Sequence, residues 1–293
     1  MVEPLDLNLL LQRSGIDVSH SKVLVMRHRP TEPELQRILP WWAEEQPQAF
    51  NAYQSTQNPM AESALLRADY LASFIAHQSD RALFVGLYRR VSSTELSKER
   101  YDSLPIELKQ YSTGLRRMMD EGQAVQFFDL ESLIPMSDLK GRLIVDWTTP
   151  RAWYRWADRN RILVRAIAEE SKLVKSMPPW DQLTLRWEEL HALPSSWRAA
   201  LQQWRGVYYI FDTSDQQGYV GSAYGAENIL GRWLNYLQTR GGGNVRLEGR
   251  NPKSFKFSIL QRVSPDLEPD AVVAIETSWK VRLHTKDYGL NAN

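Results

Sequence analysis

A chain of 293 residues exceeds one typical domain, and its 43% hydrophobic content supplies apolar side chains for a sizeable core. Lys and Arg number 36 against 35 Asp and Glu, so a formal charge of +1 singles out neither a nucleic acid nor a membrane as partner. Cysteine is absent and the five histidines lack HExxH spacing, which excludes thiol nucleophiles and disulfides, disfavours a zinc hydrolase and fits a reducing compartment. No run approaches the roughly 18 apolar residues of a membrane span, and the N-terminus lacks signal-peptide character, so the expectation is a cytoplasmic protein with no membrane partner.

In chain order, residues 1–20 read as a loose leader. Lys22–Arg27 reads as a strand, and Thr31–Glu45 as a helix capped by Thr31, with Glu34 at the capping-box position. The periodicity of Glu62–His77 predicts a helix. Short β-like runs follow at Ala82–Arg90, Val125–Leu130, Gly141–Trp147 and Arg161–Ile167, with helical residues near Leu115–Glu121. Pro178-Pro179 and Pro194-Ser195-Ser196 punctuate the next stretch, and Ser195 or Ser196 should cap a helix through Trp204. These elements predict an α+β protein of two domains: a mixed, barrel-like domain over 1–190, and a second over 191–293 that begins with a linker helix.

In the second domain, Gly206–Phe211 and Gly218–Gly221 read as a hairpin around a polar turn. A helix over Gly225–Thr239 follows, its stripe of Ala226, Ile229, Leu230, Trp233 and Leu237 facing the core and its end marked by Gly241-Gly242-Gly243. Arg232 and Tyr236, four apart, share one flank of that stripe. Phe255–Leu260 supplies a third strand, and a last helix starts near Pro269. On that helix Val272, Ile275, Trp279 and Leu283 share a face into which Glu276 falls. A carboxylate on a buried face needs a partner, either an arginine such as Arg232 or a divalent metal ion. Between Asn228 and Arg262 seven basic residues, among them Arg240, Arg246, Arg250, Lys253 and Lys256, stand against the single acid Glu248. Such a strip is either a phosphate-facing surface or a solvated one.

Gly206-Val207-Tyr208, ten residues, and then Tyr219-Val220-Gly221 resemble the signature of the GIY-YIG nuclease family, with valine for isoleucine in both triplets. Arg232, Tyr236, Glu276 and Asn291 continue the resemblance in order, over roughly residues 204–293. It implies a small three-stranded antiparallel sheet flanked by helices that hydrolyses DNA phosphodiesters with one Mg²⁺ or Mn²⁺ ion per active site. In that reading Glu276 holds the metal and Arg232 donates to the phosphate. Tyr208 is the candidate base, its pKa of about 10 needing a nearby metal or cation to lower it. Tyr219 and Tyr236 position water and phosphate, and Asn291 orders the site.

The first two hundred residues hold eight of the eleven tryptophans. Trp147, Trp153 and Trp156 interleave with Arg151 and Arg155, followed by Arg159, Arg161 and Arg165. This pattern suits either nucleic acid, with Trp153 and Arg155 as contacts, or core tryptophan beside a basic flank. Phe84-Val85-Gly86-Leu87-Tyr88 in a strand-rich setting resembles PUA-like, base-reading barrels. The expected function is a restriction or phage-defence endonuclease that reads sequence or modified bases in double-stranded DNA. The alternatives are a repair or mobile-element nuclease and a DNA-binding protein that does not cut. One catalytic set per chain and antiparallel target strands predict a homodimer on DNA, with sequential nicking by a monomer as the other route.

Overall fold

All six residues of the strand Val23–His28 are buried, which requires cover on both of its faces. The computed structural model describes residues 4–148, 152–225, 228–239 and 244–292, and places this strand inside the first of two compact units, Met1–Lys175 and Ser176–Asn293. In the first unit β1 (Val23–His28), β2 (Tyr70–Gln78), β3 (Arg81–Glu95), β4 (Gln126–Ser132), β5 (Leu143–Asp146), β6 (Tyr154–Trp156) and β7 (Val164–Ile167) form one sheet. Its order is β6-β1-β2-β3-β5-β7, and β4 pairs with the second half of the long β3. Among the described residues only β1 and β2 run parallel; the other pairings are antiparallel.

Alternation along β1 feeds two cores. Val23 and Val25 join Phe74, Phe84 and Trp147, together with Leu7 and Leu11. Leu24 and Met26 join Leu71, Phe128 and Leu130 on the other face, where the helix Pro59–Leu65 contributes Ala61, Ala64 and Leu65. Several sequence expectations need correction. The leader is in part a helix, Leu7–Arg13, capped by Asp6 through the Leu9 amide at 3.0 Å and anchored by two fully buried leucines. The helix expected over Glu62–His77 stops at Leu65, and Tyr70 onward is β2. Residues 71–75 are buried on both faces, so that stretch carries no alternation to distinguish strand from helix. Thr31 does not cap the next helix, which begins at Pro33; its hydroxyl bonds the Glu32 carboxylate instead.

The second unit is a four-stranded antiparallel sheet, β10-β9-β11-β8, made of β8 (Thr184–Arg186), β9 (Arg205–Asp212), β10 (Gln217–Ala223) and β11 (Phe255–Val263). The expected three strands are thus joined by a fourth. Leu185 of β8 is buried opposite Phe257, so residues 176–190 fold with the second unit and the division falls at Lys175, ahead of the expected 190. The helix Ser195–Gln203 starts directly after Pro194. The helices Asn228–Thr239 and Pro269–Arg282 pack on β9 and β10. Gly206 is needed where β9 meets a register shift in β11: its φ is +155°, and a Cβ there would sit 2.0 Å from the Gln261 carbonyl oxygen. Ala226, Arg240, Gly241-Gly242-Gly243, Arg151 and the side chain of Leu237 lie outside the described residues. Among the described residues no helix is long and apolar enough to cross a membrane.

Candidate active site

The hairpin of β9 and β10 sets Tyr208 directly opposite Gly221. A Cβ on Gly221 would lie 2.4 Å from the Tyr208 hydroxyl oxygen, so the glycine is what lets the phenol lie across the neighbouring strand. Gly218 does the same for the Tyr209 ring. These glycines therefore make room for tyrosines within the hairpin. Tyr208 is fully buried, edge-on to Trp233 at 6.3 Å and to Tyr236 at 6.2 Å, and Tyr236 meets Tyr219 in the same manner at 6.1 Å.

Hydroxyl contacts tie the cluster together. Tyr208 and Tyr236 share a hydrogen bond of 3.0 Å, and Tyr219 and the Arg232 guanidinium lie close enough to act electrostatically on both phenols. Arg232 lies one helical turn before Tyr236 and is exposed, so its guanidinium beside the phenols is open to an anion. Burial pushes the Tyr208 phenol well up, the neighbouring Tyr219 adds to this, and the opposing pull of Arg232 and Tyr236 does not offset them. Burial likewise raises Tyr236. Both phenols hold their protons at neutral pH, and the cation beside Tyr208 is insufficient alone to make it a base.

Glu276 reaches the same hairpin one residue beyond Gly221. Its side chain is 14% exposed, and Lys280 Nζ stands 2.8 Å from Oε1 while the Ser222 hydroxyl donates to Oε2. The partner of this carboxylate is thus Lys280, not Arg232. Of the face expected to be apolar only Val272 is buried, and Lys280, one turn from Glu276, is the helix's other buried residue. Leu283 follows the helix end and is 38% exposed. Neither Ser222 nor Lys280 was singled out from the sequence, although the four-residue spacing of Glu276 and Lys280 on one helix is a readable signal. Asn291 is buried against β10: its Oδ1 accepts from the Val220 amide at 3.0 Å and its Nδ2 donates to the Val220 carbonyl at 2.8 Å. The amide closes the exposed edge of the hairpin as a further strand would.

Among the described residues no group of three His, Asp or Glu side chains gathers. A single hard oxygen ligand fits an ion of the Mg²⁺ kind, which keeps most of its waters and takes phosphate oxygens. Glu276 is the residue that would hold it.

The basic strip divides. Arg246 donates to the carbonyls of Gly289 and Asn291 at 3.0 and 3.2 Å. Arg250 bonds Asp212 at 2.9 Å and Asp215 at 2.6 Å, bracing the hairpin turn. Both guanidiniums are therefore engaged inside the unit. Lys253 is exposed in a short turn, and Lys256 is half-buried on β11. In the first unit Trp147 belongs to the core and Arg155 lies over its ring at 4.9 Å, whereas Trp153 is 56% exposed.

No family model matches the sequence, and no curated protein matches it. Among solved structures the chain is similar to the catalytic domain of the homing endonuclease I-TevI, at 27% identity over 30% of this chain and 98% of that one, with a TM-score of 0.26. It is also similar to a mutant of the catalytic domain of the intron endonuclease I-TevI, at 26% identity over 31% of this chain and 95% of that one, with a TM-score of 0.27.

Proposed function

We propose that the chain is a divalent-metal-dependent DNA endonuclease of the restriction or phage-defence type, acting in the cytoplasm. The first unit would read sequence or base modification, and the second would hydrolyse a phosphodiester. The observation that carries this reading is the exposed Arg232 beside the bonded Tyr208–Tyr236 pair, on a hairpin whose second strand also meets the Glu276 carboxylate through Ser222. Arg232 would donate to a non-bridging phosphate oxygen as negative charge builds there. Tyr208, Tyr219 and Tyr236 supply hydroxyls to orient the attacking water and the phosphate. A divalent ion held by Glu276 would supply Lewis-acid stabilisation of the leaving oxygen. Exposed Lys253, and with it Arg240 and Lys256, would meet neighbouring phosphates. A homodimer on the duplex would set one site on each strand.

A second reading, a DNA-binding protein that does not cut, draws on the engagement of both Glu276 oxygens by Lys280 and Ser222. One experiment separates the two. Plasmid, damaged DNA and modified phage DNA are incubated with wild type and with Glu276→Gln in Mg²⁺ or Mn²⁺. Cleavage by wild type, stopped by chelation and absent in a variant that still binds DNA, is the expected result. No cutting of any substrate by wild type with either ion would favour the second reading.

A further inference from the structure

The first unit contains a recess that the catalytic reading leaves unused. At the end of β1 the chain turns through residues 28–32 along a cavity of about 250 Å³. Leu35 and Leu115 line it, Tyr53 forms one wall, and Trp153 stands over it with more than half its surface in solvent. Polar residues also line it, among them His28, Glu32, Gln57 and Asn58. His28 is 5% exposed, edge-on to Phe50 and Tyr53, and its Nε2 has no hydrogen-bond partner. Burial lowers His28 to about 4, so the imidazole is neutral and retains one nitrogen lone pair. The Glu32 carboxylate accepts only long hydroxyl bonds, from Thr31 at 3.2 Å and Thr113 at 3.4 Å, and has acceptor capacity left.

Positive charge surrounds the opening. Arg27 and Arg29 line this recess and an adjoining one that also includes Trp153. Arg27 is 4% exposed and donates to the carbonyls of Gln78 and Ser79 at 3.2 and 3.3 Å, so it is held within the fold, whereas Arg29 is exposed. Arg29 is the cation that an anion arriving at the opening would meet.

The volume is smaller than the roughly 300–1,000 Å³ of a site for drug-sized ligands and suits a single flat heterocycle. Exposed and half-buried aromatic rings offer stacking, a carboxylate offers an acceptor for an exocyclic amino group, and the exposed Arg29 flanks the entrance. We propose that this recess takes one nucleobase turned out of a DNA duplex, stacked on Trp153 and Tyr53 with its amino edge toward Glu32, while an adjoining phosphate meets Arg29. The proposal rests on the reading that the protein acts on DNA, and it makes the first unit a reader of single bases, including modified ones.

Turning a base out costs unpairing and unstacking energy, and a mismatch supplies part of it in advance. The test uses the full-length Glu276→Gln chain, so that binding is measured without cutting. Its substrates are short duplexes identical except for one central mismatch or one methylated or hydroxymethylated base. A 2-aminopurine at the variable position reports extrusion. Expected are an affinity about tenfold higher for the mismatched or a modified duplex than for the plain one, and a rise in 2-aminopurine fluorescence on binding. Trp153→Ala and Glu32→Ala should each abolish both signals, whereas Trp153→Phe, which keeps a stacking face, should retain them. Equal affinity across all duplexes, no rise in fluorescence, or a preference that survives both alanine substitutions overturns the proposal. Base extrusion by a wild-type chain that cuts nothing would remove the nuclease reading and leave the pocket; cutting without extrusion would do the reverse.

Discussion

Replacing Gly221 by alanine should disable the second unit's site without substituting any polar side chain. The new Cβ would stand 2.4 Å from the Tyr208 hydroxyl oxygen and 2.6 Å from Cζ, so the ring must retreat by about 1 Å to reach ordinary contact. It has nowhere to go, because Tyr208 is fully buried between Trp233 and Tyr236. Overpacking of this kind costs about 1–3 kcal/mol, and stretching the 3.0 Å bond to Tyr236 adds about 1 kcal/mol for two poorly satisfied buried hydroxyls. Gly221→Ala should therefore lower the unfolding free energy by about 3 kcal/mol, a large share of the total for a small domain. Urea unfolding of wild type and variant measures this. A second substitution, Tyr208→Phe, removes the atom in closest conflict and should recover roughly half of the loss, since Cζ still crowds the methyl group. Plasmid cleavage should fall about a hundredfold in Gly221→Ala, as expected for a 1 Å misplacement, and should not return in the double variant. A Gly221→Ala chain within about 0.5 kcal/mol of wild type would refute the close approach itself.

Two further outcomes follow from paired charges. Lys280→Met should destabilise the chain by about 1–3 kcal/mol, because the half-buried Glu276 carboxylate loses the cation 2.8 Å away. It should also raise Mn²⁺ affinity in the absence of DNA by roughly tenfold, because the ion no longer competes with the ammonium; unchanged Mn²⁺ binding by paramagnetic resonance would place the ion elsewhere. Asp212 is raised by burial, but bonds from Ser214, Ser254 and Arg250 outweigh this and hold it at about 2. Its contribution, on the order of 2 kcal/mol, is complete above the unfolded value near 4 and is lost as pH falls toward 2. Unfolding free energies across that window should fall in wild type and change less in Asp212→Asn; parallel curves would show that another group controls the acid limb.

What could be read from residues alone was local. The triplets around Tyr208 and Tyr219, the Arg232–Tyr236 turn and the start of the last helix at Pro269 rest on turn residues and periodicities that span fewer than a dozen positions. The four-residue spacing of Glu276 and Lys280 was legible for the same reason, whereas the face counted as apolar is buried only at Val272. The tertiary structure decided whatever depended on a distant neighbour. Tyr70–Gln78 became a strand because β1 and β3 flank it, and β8 is a strand only because β11 lies beside its three residues. Lys280 rather than Arg232 neutralises Glu276, and Arg246 and Arg250 serve the fold, because carbonyls and carboxylates from other segments arrive within bonding distance. A basic side chain looks the same in sequence whether it faces phosphate or an internal acid. Only the chain's return in space supplies the partner, and with it the electrostatic energy that selects between them.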